Sequence, residues 1–299
     1  MARIYDFSNF DRMSSLLESY HRFIKLLKNL YDPGEAESIA QSAFEEIFGT
    51  DIVRLRLKMQ EKPTREQESA ISSMLERLLN GEPLQYITGH SWFMGEKYLV
   101  NSSVLIPRQE TEELVEWILS QAIPSTAQMH ILDIGTGSGC IAISLKKRLK
   151  KARVSALDSS SGAVRTAKAN AMRILGNGAC CFFLRDITDR SWWKEQEELD
   201  IIVSNPPYIT APEKERMHRN VLAHEPKEAL FVPGNDALFF YRHIADFAFL
   251  KLKKEGKLFL EINEGYGTET SEMLKEKGFS RIELRKDMQQ KNRMICAVR

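Results

Sequence analysis

The sharpest chemical signal in the chain is Asn205-Pro206-Pro207-Tyr208, set directly after the apolar run "LDIIVS". Consecutive prolines offer carbonyl oxygens and no N–H groups. The Asn205 Oδ1 and the Pro206 carbonyl therefore make a pair of acceptors with little competing backbone donation. A planar –NH₂ group satisfies such a pair with both of its hydrogens. The lone pair on that kind of nitrogen is delocalised, so it attacks poorly. Hydrogen bonds that localise the lone pair, with in-line placement, would supply the rate. Tyr208 adds an aromatic wall suited to a cationic centre. Adenine, guanine, cytosine and glutamine all remain open as owners of the nitrogen, and a rigid turn is the purely structural alternative.

A second cluster lies upstream in "ILDIGTGSGC", where Gly135, Thr136, Gly137 and Gly139 follow an apolar run and lead into a helical pattern. Glycine permits the tight turn and lets backbone approach a ligand without a Cβ in the way. The spacing is GxGxG, with Cys140 where the dinucleotide fingerprint would need its last glycine, and no Lys–Ser/Thr pair follows for a phosphate. Asp158 ends the next strand pattern, 19 residues after Gly139, where a carboxylate can accept from both hydroxyls of a ribose. Asp186, closing "FFLRD", is placed to meet an adenine edge. For both acids the alternative is a helix cap or a solvated strand end. A glycine loop, a ribose carboxylate and no phosphate machinery point to S-adenosylmethionine, which brings its own reactive sulfonium. Asn205 would then stand beside that methyl donor as well as beside the acceptor nitrogen.

These residues need a scaffold, and the 299-residue length allows one large domain or a medium one with a smaller companion. Hydrophobic residues make up 43% and charged residues 28%, the balance of a folded globular chain. The net charge is +1; residues 1–85 carry 11 Lys/Arg against 14 Asp/Glu, leaving 31 against 27 in the remainder. Neither part looks built to neutralise many phosphates, which argues against a stable nucleic-acid partner. No apolar run spans a bilayer, and the opening "MARIYDFSNFDRMSS" lacks the apolar core of a secretory signal. Four cysteines, two adjacent at Cys180 and Cys181, make neither a disulfide framework nor a zinc spacing, so we expect no metal and a reducing cytoplasm.

Hydrophobic periodicity predicts helices over most of the first 85 residues. Leu16, Tyr20, Phe23, Ile24 and Leu27 share one face, "EAESIAQSAFEEIFG" repeats the pattern, and Thr64 with Gln67 stands in capping-box register before a helix ending near Gly81. Two β-rich runs between Phe93 and Ile106 predict a hairpin around Asn101–Ser102. Beyond Pro107 an acidic helix start, "QETEELVEWIL", suits the helix dipole. Seven strand patterns then alternate with helices, from "MHILDI" to "RMICAVR". That is a doubly wound α/β sheet, with ligands expected at the C-terminal ends of its strands.

Three stretches together resemble a known family: "GEPLQYITGHSWFMGEKYLVNSSVLIPRQETEELVEWIL", "LDIGTGSGC" and "SNPPYI". The family is that of the protein-glutamine N5-methyltransferases acting on peptide chain release factors. The resemblance runs over about residues 15–299 and is specific in 81–112, 131–139 and 205–208. It implies a class I S-adenosylmethionine-dependent methyltransferase fold, a doubly wound seven-stranded mixed sheet, over 109–299. It also implies a helical substrate-recognition domain over 1–85 and a linker with a β-hairpin over 86–108. By the same resemblance the substrate is the glutamine of the Gly-Gly-Gln tip of class I release factors, held by Asn205 and the Pro206 carbonyl beside Pro207, with Tyr208 bordering the pocket. Phe93 matches the hairpin aromatic that packs on the glutamine methylenes. Arg108 and Glu110 match residues that brace the pocket and the methionine end of the cofactor, although Arg108 reads equally well as a structural ion pair. Glu225 and Pro226 match a further pair.

The chain departs from the family pattern at Ala237, Asn263, Gln290 and Asn292, all outside the proposed chemical centre. Peripheral loops and substrate docking are what these departures put in question. The main rival is a nucleic-acid base aminomethyltransferase acting on adenine N6 or guanine N2, which would use the same –NH₂ chemistry with a flipped base on Tyr208. A catalytically inactive protein-docking module is a second. Against the first stand the acidic helical region and the "VLIPRQETE" match; against the second stand the intact glycines, Asp158 and Asn205. The chain is expected to act as a monomer.

Overall fold

Ser15 opens the described chain as a helix cap, its side chain accepting the Glu18 N–H. The computed structural model describes residues 15–121, 128–216 and 219–299. Most of the opening stretch read above for a secretory signal lies outside these residues. The first part of the chain forms α1 (Leu16–Leu27), α2 (Pro33–Phe48), α3 (Ile52–Arg56), α4 (Arg65–Leu79) and α5 (Leu84–Thr88). A hairpin of β1 (His90–Phe93) and β2 (Glu96–Leu99) precedes α6 (Gln109–Gln121). Next come β3 (His130–Ile134), α7 (Cys140–Arg148), β4 (Arg153–Asp158), α8 (Ser161–Leu175), β5 (Cys181–Leu184) and β6 (Leu199–Ser204). The short α9 (Arg219–His224) leads to α10 (Phe239–Lys251), β7 (Leu252–Glu261), α11 (Gly267–Glu276), β8 (Ser280–Lys286) and β9 (Asn292–Val298).

The chain divides into two compact units, one of residues up to Thr88 with Arg219–His224, the other of Gly89–His218 with Glu225–Arg299. In the first, the periodic stripes become a core: Phe23, Leu27, Phe44, Leu55 and Leu75 are fully buried. Phe23 and Phe44 meet edge-on at 5.4 Å. Burying each such side chain stabilises the unit by about 1.5–3 kcal/mol. The capping box at Thr64 and Gln67 is formed in both directions. Gly81, at φ +83°, follows α4, and a Cβ there would stand 2.6 Å from Asn220 Oδ1. Asn220 in turn donates to the Tyr31 hydroxyl at 3.0 Å. A segment from late in the sequence thus packs into the helical unit, which local patterns gave no sign of.

In the second unit the seven strand patterns form one mixed sheet in the order β5-β4-β3-β6-β7-β9-β8. Strands β5, β4, β3, β6 and β7 pair in parallel, and β9 runs antiparallel to both β7 and β8. The chain leaves β3 toward one edge and returns at β6 to build the other, so the topological switch point lies between β3 and β6. Registers pair Ile134 with both Leu157 and Ser204. Gly135, Asp158 and Asn205, each the next residue along, therefore emerge at the same rim. The Ser204 hydroxyl, fully buried, locks this level by donating to the Ile134 carbonyl at 2.7 Å.

The hairpin turns at a different place from the one its sequence led us to expect. Its turn is Met94–Gly95, both with positive φ (51° and 79°), the geometry that matches strand twist in a two-residue loop. Asn101 instead makes a local turn, its Oδ1 accepting the Ser103 N–H at 2.9 Å. The Met94 N–H is held by Glu112 of α6 at 2.6 Å. Of the departures from the family pattern, Gln290 takes a left-handed φ of 65° in the turn joining β8 to β9, and Ala237 is buried before α10.

Candidate active site

A cavity of about 630 Å³ opens at the switch point, with walls that include Gly135, Gly137, Asp158, Asp186, Asn205 and Pro206. Gly135 and Gly137 have φ of +73° and +55°, and a Cβ on either would meet nothing within 4 Å. Bare backbone thus faces open space, a cradle that a side chain would fill. The Thr136 hydroxyl turns inward to Asp133 Oδ2 at 2.6 Å, so it holds the loop. Burial pushes the Asp133 carboxyl up to about 7. Gly139 does not touch the cavity: a Cβ there would lie 2.8 Å from Ile143 Cδ1 and 3.1 Å from Ala167 Cβ. Its part in the site is to let α7 and α8 approach.

Asp158 is half-buried in the cavity wall, and its oxygens already accept the Gly137 N–H at 2.9 Å and the Ser160 N–H at 2.8 Å. Each oxygen retains a further lone pair, enough for two hydroxyls. Desolvation raises its pKa while the backbone donors pull it back. Asp186 Oδ1 caps its own turn through the Thr188 N–H and hydroxyl, both at 2.8 Å, and the residue still borders the cavity. The bare-backbone cradle and the carboxylate beside it fit S-adenosylmethionine.

Asn205 lines the same cavity, and its Nδ2 donates to Thr111 Oγ1 at 3.1 Å. Thr111, in the first turn of α6, donates to Glu261 Oε2 at 2.6 Å. Both Thr111 and Glu261 are buried, at 3% and 2% exposure. Burial raises the Glu261 pKa to about 7 against the pull of Thr111 and Arg293. Pro206 and Pro207 border the cavity, whereas Tyr208 packs on the core and donates to Glu261 Oε1 at 3.4 Å. Burial, with Glu261 nearby, pushes the Tyr208 phenol well up. Sequence reading passed over Thr111 and Glu261. The signals were present, a hydroxyl inside "QETEEL" and an acid closing the apolar run "KLFLE", but nothing local joined them.

Arg108 borders the cavity and pairs with the buried Glu225 at 2.6 Å, within the second unit. Glu110 sits in the first turn of α6, half-buried, and is not part of the cavity wall. Phe93 is not brought to the cavity. It is 1% exposed and edge-on to Tyr98 at 5.9 Å, because β1 turns Ser91 and Phe93 inward and leaves Trp92 65% exposed. None of Ala237, Asn263, Gln290 and Asn292 lines the cavity. Asn263 nevertheless acts close by: its Nδ2 donates to Glu213 Oε1 at 2.8 Å, and Glu213 Oε2 accepts both the N–H and the hydroxyl of Thr210. That ties the segment following the double proline to the end of β7.

Two family models match the chain: a methyltransferase small domain over residues 115–253 and a PrmC N-terminal domain over 18–89. A release factor glutamine methyltransferase of Flavobacterium psychrophilum is 42% identical, covering 94% of this chain and 98% of its own. One of Bacteroides thetaiotaomicron is 37% identical over 91% and 96%. Among solved structures, the "delta-N METTL16 MTase domain" aligns with a TM-score of 0.51 at 16% identity, over 68% of this chain and 88% of that one, a likeness of fold alone. With relatives matching over more than nine-tenths of both chains at this identity, the chain belongs to the release factor glutamine methyltransferase family.

Proposed function

We propose that the chain transfers a methyl group from S-adenosylmethionine to the side-chain amide nitrogen, N5, of the glutamine in the Gly-Gly-Gln motif of class I peptide chain release factors, leaving S-adenosylhomocysteine. The observation that carries this reading is the convergence of Asn205 and Pro206 with the bare glycine loop on one cavity, in a chain 42% identical to such an enzyme along nearly its whole length. S-adenosylmethionine, when bound, supplies an electrophilic methyl on a cationic sulfur. Gly135 and Gly137 offer backbone to it, and Asp158 and Asp186 offer acceptors to its sugar and base. Asn205 Oδ1 and the Pro206 carbonyl take the two amide hydrogens. Their pull localises the nitrogen lone pair and turns one face toward the methyl. The nitrogen gains a bond to carbon as the carbon–sulfur bond breaks, and the surplus proton leaves to solvent without a strong base.

The helical unit is assigned to holding the release factor, and the reaction to a monomer in the cytoplasm. Cys140, Cys180, Cys181 and Cys296 are free thiols. Among the described residues no helix is long and apolar enough to cross a membrane.

Labelled S-adenosylmethionine tests the reading, offered with release factor, a release factor with its motif glutamine replaced, tRNA, rRNA or DNA. Label should enter intact release factor alone. Asn205→Ala should keep cofactor affinity while single-turnover transfer falls on the order of 100-fold or more, since one amide hydrogen is left unpaired and the amide rotates. Asn205→Asp, which keeps two acceptors, should lose less. Label on a nucleic acid, or a wild-type rate in Asn205→Ala, would overturn the glutamine mechanism.

A further inference from the structure

The Asn205 side chain has two ends of similar shape and opposite polarity. Only Oδ1 can receive a hydrogen from a substrate –NH₂; a rotated amide would set donor against donor. The residues behind Asn205 decide which end faces the cavity. A threonine hydroxyl has one hydrogen, and the Glu261 carboxylate, once ionised above about pH 7, is an acceptor only. At 2.6 Å from Glu261 Oε2, the Thr111 hydrogen is committed to Glu261. Only lone pairs remain on Thr111 Oγ1 for Asn205, 3.1 Å away, so the amide must present its N–H₂ there. The relay runs in one direction, from Asn205 N–H to Thr111 O–H to Glu261. The Tyr208 hydroxyl donates to the other Glu261 oxygen, and Arg293 adds positive charge beside it. Thr111 and Glu261 are buried, so water does not compete for these bonds.

We infer that Thr111 and Glu261 are positioning residues that fix the Asn205 amide with Oδ1 toward the substrate. This rests on the reading of Asn205 as the holder of the glutamine amide. The same contacts also join α6 to the end of β7, so the test must separate orientation from general support.

Thr111→Val keeps the shape and removes the hydroxyl. Its single-turnover rate on release factor should fall roughly 10- to 100-fold. Cofactor Kd should stay within about twofold, and release-factor KM should move far less than the rate, because docking of the whole release factor spreads over many contacts while the amide's orientation acts at the reacting nitrogen. Thr111→Ser should restore most of the rate. On an Asn205→Ala background, Thr111→Val should cost nothing further, since the group it orients is gone. Thr111→Ala adds no bulk and serves should the valine variant not fold. A wild-type rate in a folded hydroxyl-free variant, or an equal loss on the Asn205→Ala background, would overturn the inference. Wild-type protein that transfers no label to release factor would instead overturn the functional reading beneath it.

Discussion

Asn170 and Leu99 exchange two hydrogen bonds: the Leu99 N–H donates to Asn170 Oδ1 at 2.7 Å, and Asn170 Nδ2 donates to the Leu99 carbonyl at 3.0 Å. The same Nδ2 also reaches the Ser138 carbonyl at 2.9 Å, and Asn170 is wholly buried. One amide on α8 thereby joins the end of the hairpin to the glycine loop. Asn170→Ala would strand three backbone groups. We expect a loss of about 2–4 kcal/mol in urea unfolding, together with weaker cofactor binding because Ser138 belongs to the loop. An unchanged urea midpoint would show that the hairpin and loop hold themselves.

The glycines should separate into two classes. A Cβ at Gly137 meets only open cavity, so Gly137→Ala should cost the fold about 1–2 kcal/mol of left-handed strain and weaken S-adenosylmethionine binding by more than about tenfold. Gly139→Ala drives a methyl into Ile143 and Ala167, adding about 1–3 kcal/mol of overpacking to the same strain. Calorimetry and thermal unfolding on both variants check this. Wild-type cofactor affinity in Gly137→Ala would mean that no ligand approaches that turn.

Glu261 should leave a mark on stability against pH. Its pKa rises from 4.5 to about 7 on folding, so between those values the folded protein holds the proton that the unfolded chain has released. Stability from this group therefore falls as pH climbs from about 4.5 to about 7 and levels off above. The groups facing it are Arg293 on β9, Glu110 on α6, Tyr208, Tyr241 on α10 and Cys140 on α7. Glu261→Gln should remove that decline, whose slope is at most about 1.4 kcal/mol per pH unit. Urea midpoints from pH 5 to 8 measure it, and parallel profiles for the two proteins would place the titration elsewhere. Asp133, raised from 3.8 to about 7, declines with the same sign and persists in the variant.

The inner strands were legible because a sheet buried on both faces needs nearly continuous apolar runs; the edges β5 and β8 are mostly exposed, yet each of the seven runs still lies on its strand. The glycine loop, Asp158 and Asn205 were legible because each closes such a run. What failed was long-range or alternating detail. Asn101 looked like the hairpin turn, but it satisfies itself locally, and the paired left-handed residues Met94 and Gly95 make the reversal. Phe93 and Trp92 could not be told apart as inward and outward without the register of β1 on β2. The relay behind Asn205 joins residues 94 and 150 positions apart, a distance over which a single sequence carries no pairing information.

The membership of α9 has a practical bearing on dissecting this protein. Because Arg219–His224 belongs to the helical unit while residues on either side belong to the other, no single cut in the chain releases one intact unit from the other. Removing the N-terminal 80 residues would orphan a helix lodged between the double proline and Glu225. A loss of transfer in such a truncation would report a damaged loop as readily as a missing dock. Point changes on the helical surface, leaving Gly81, Tyr31 and Asn220 in place, are the cleaner dissection.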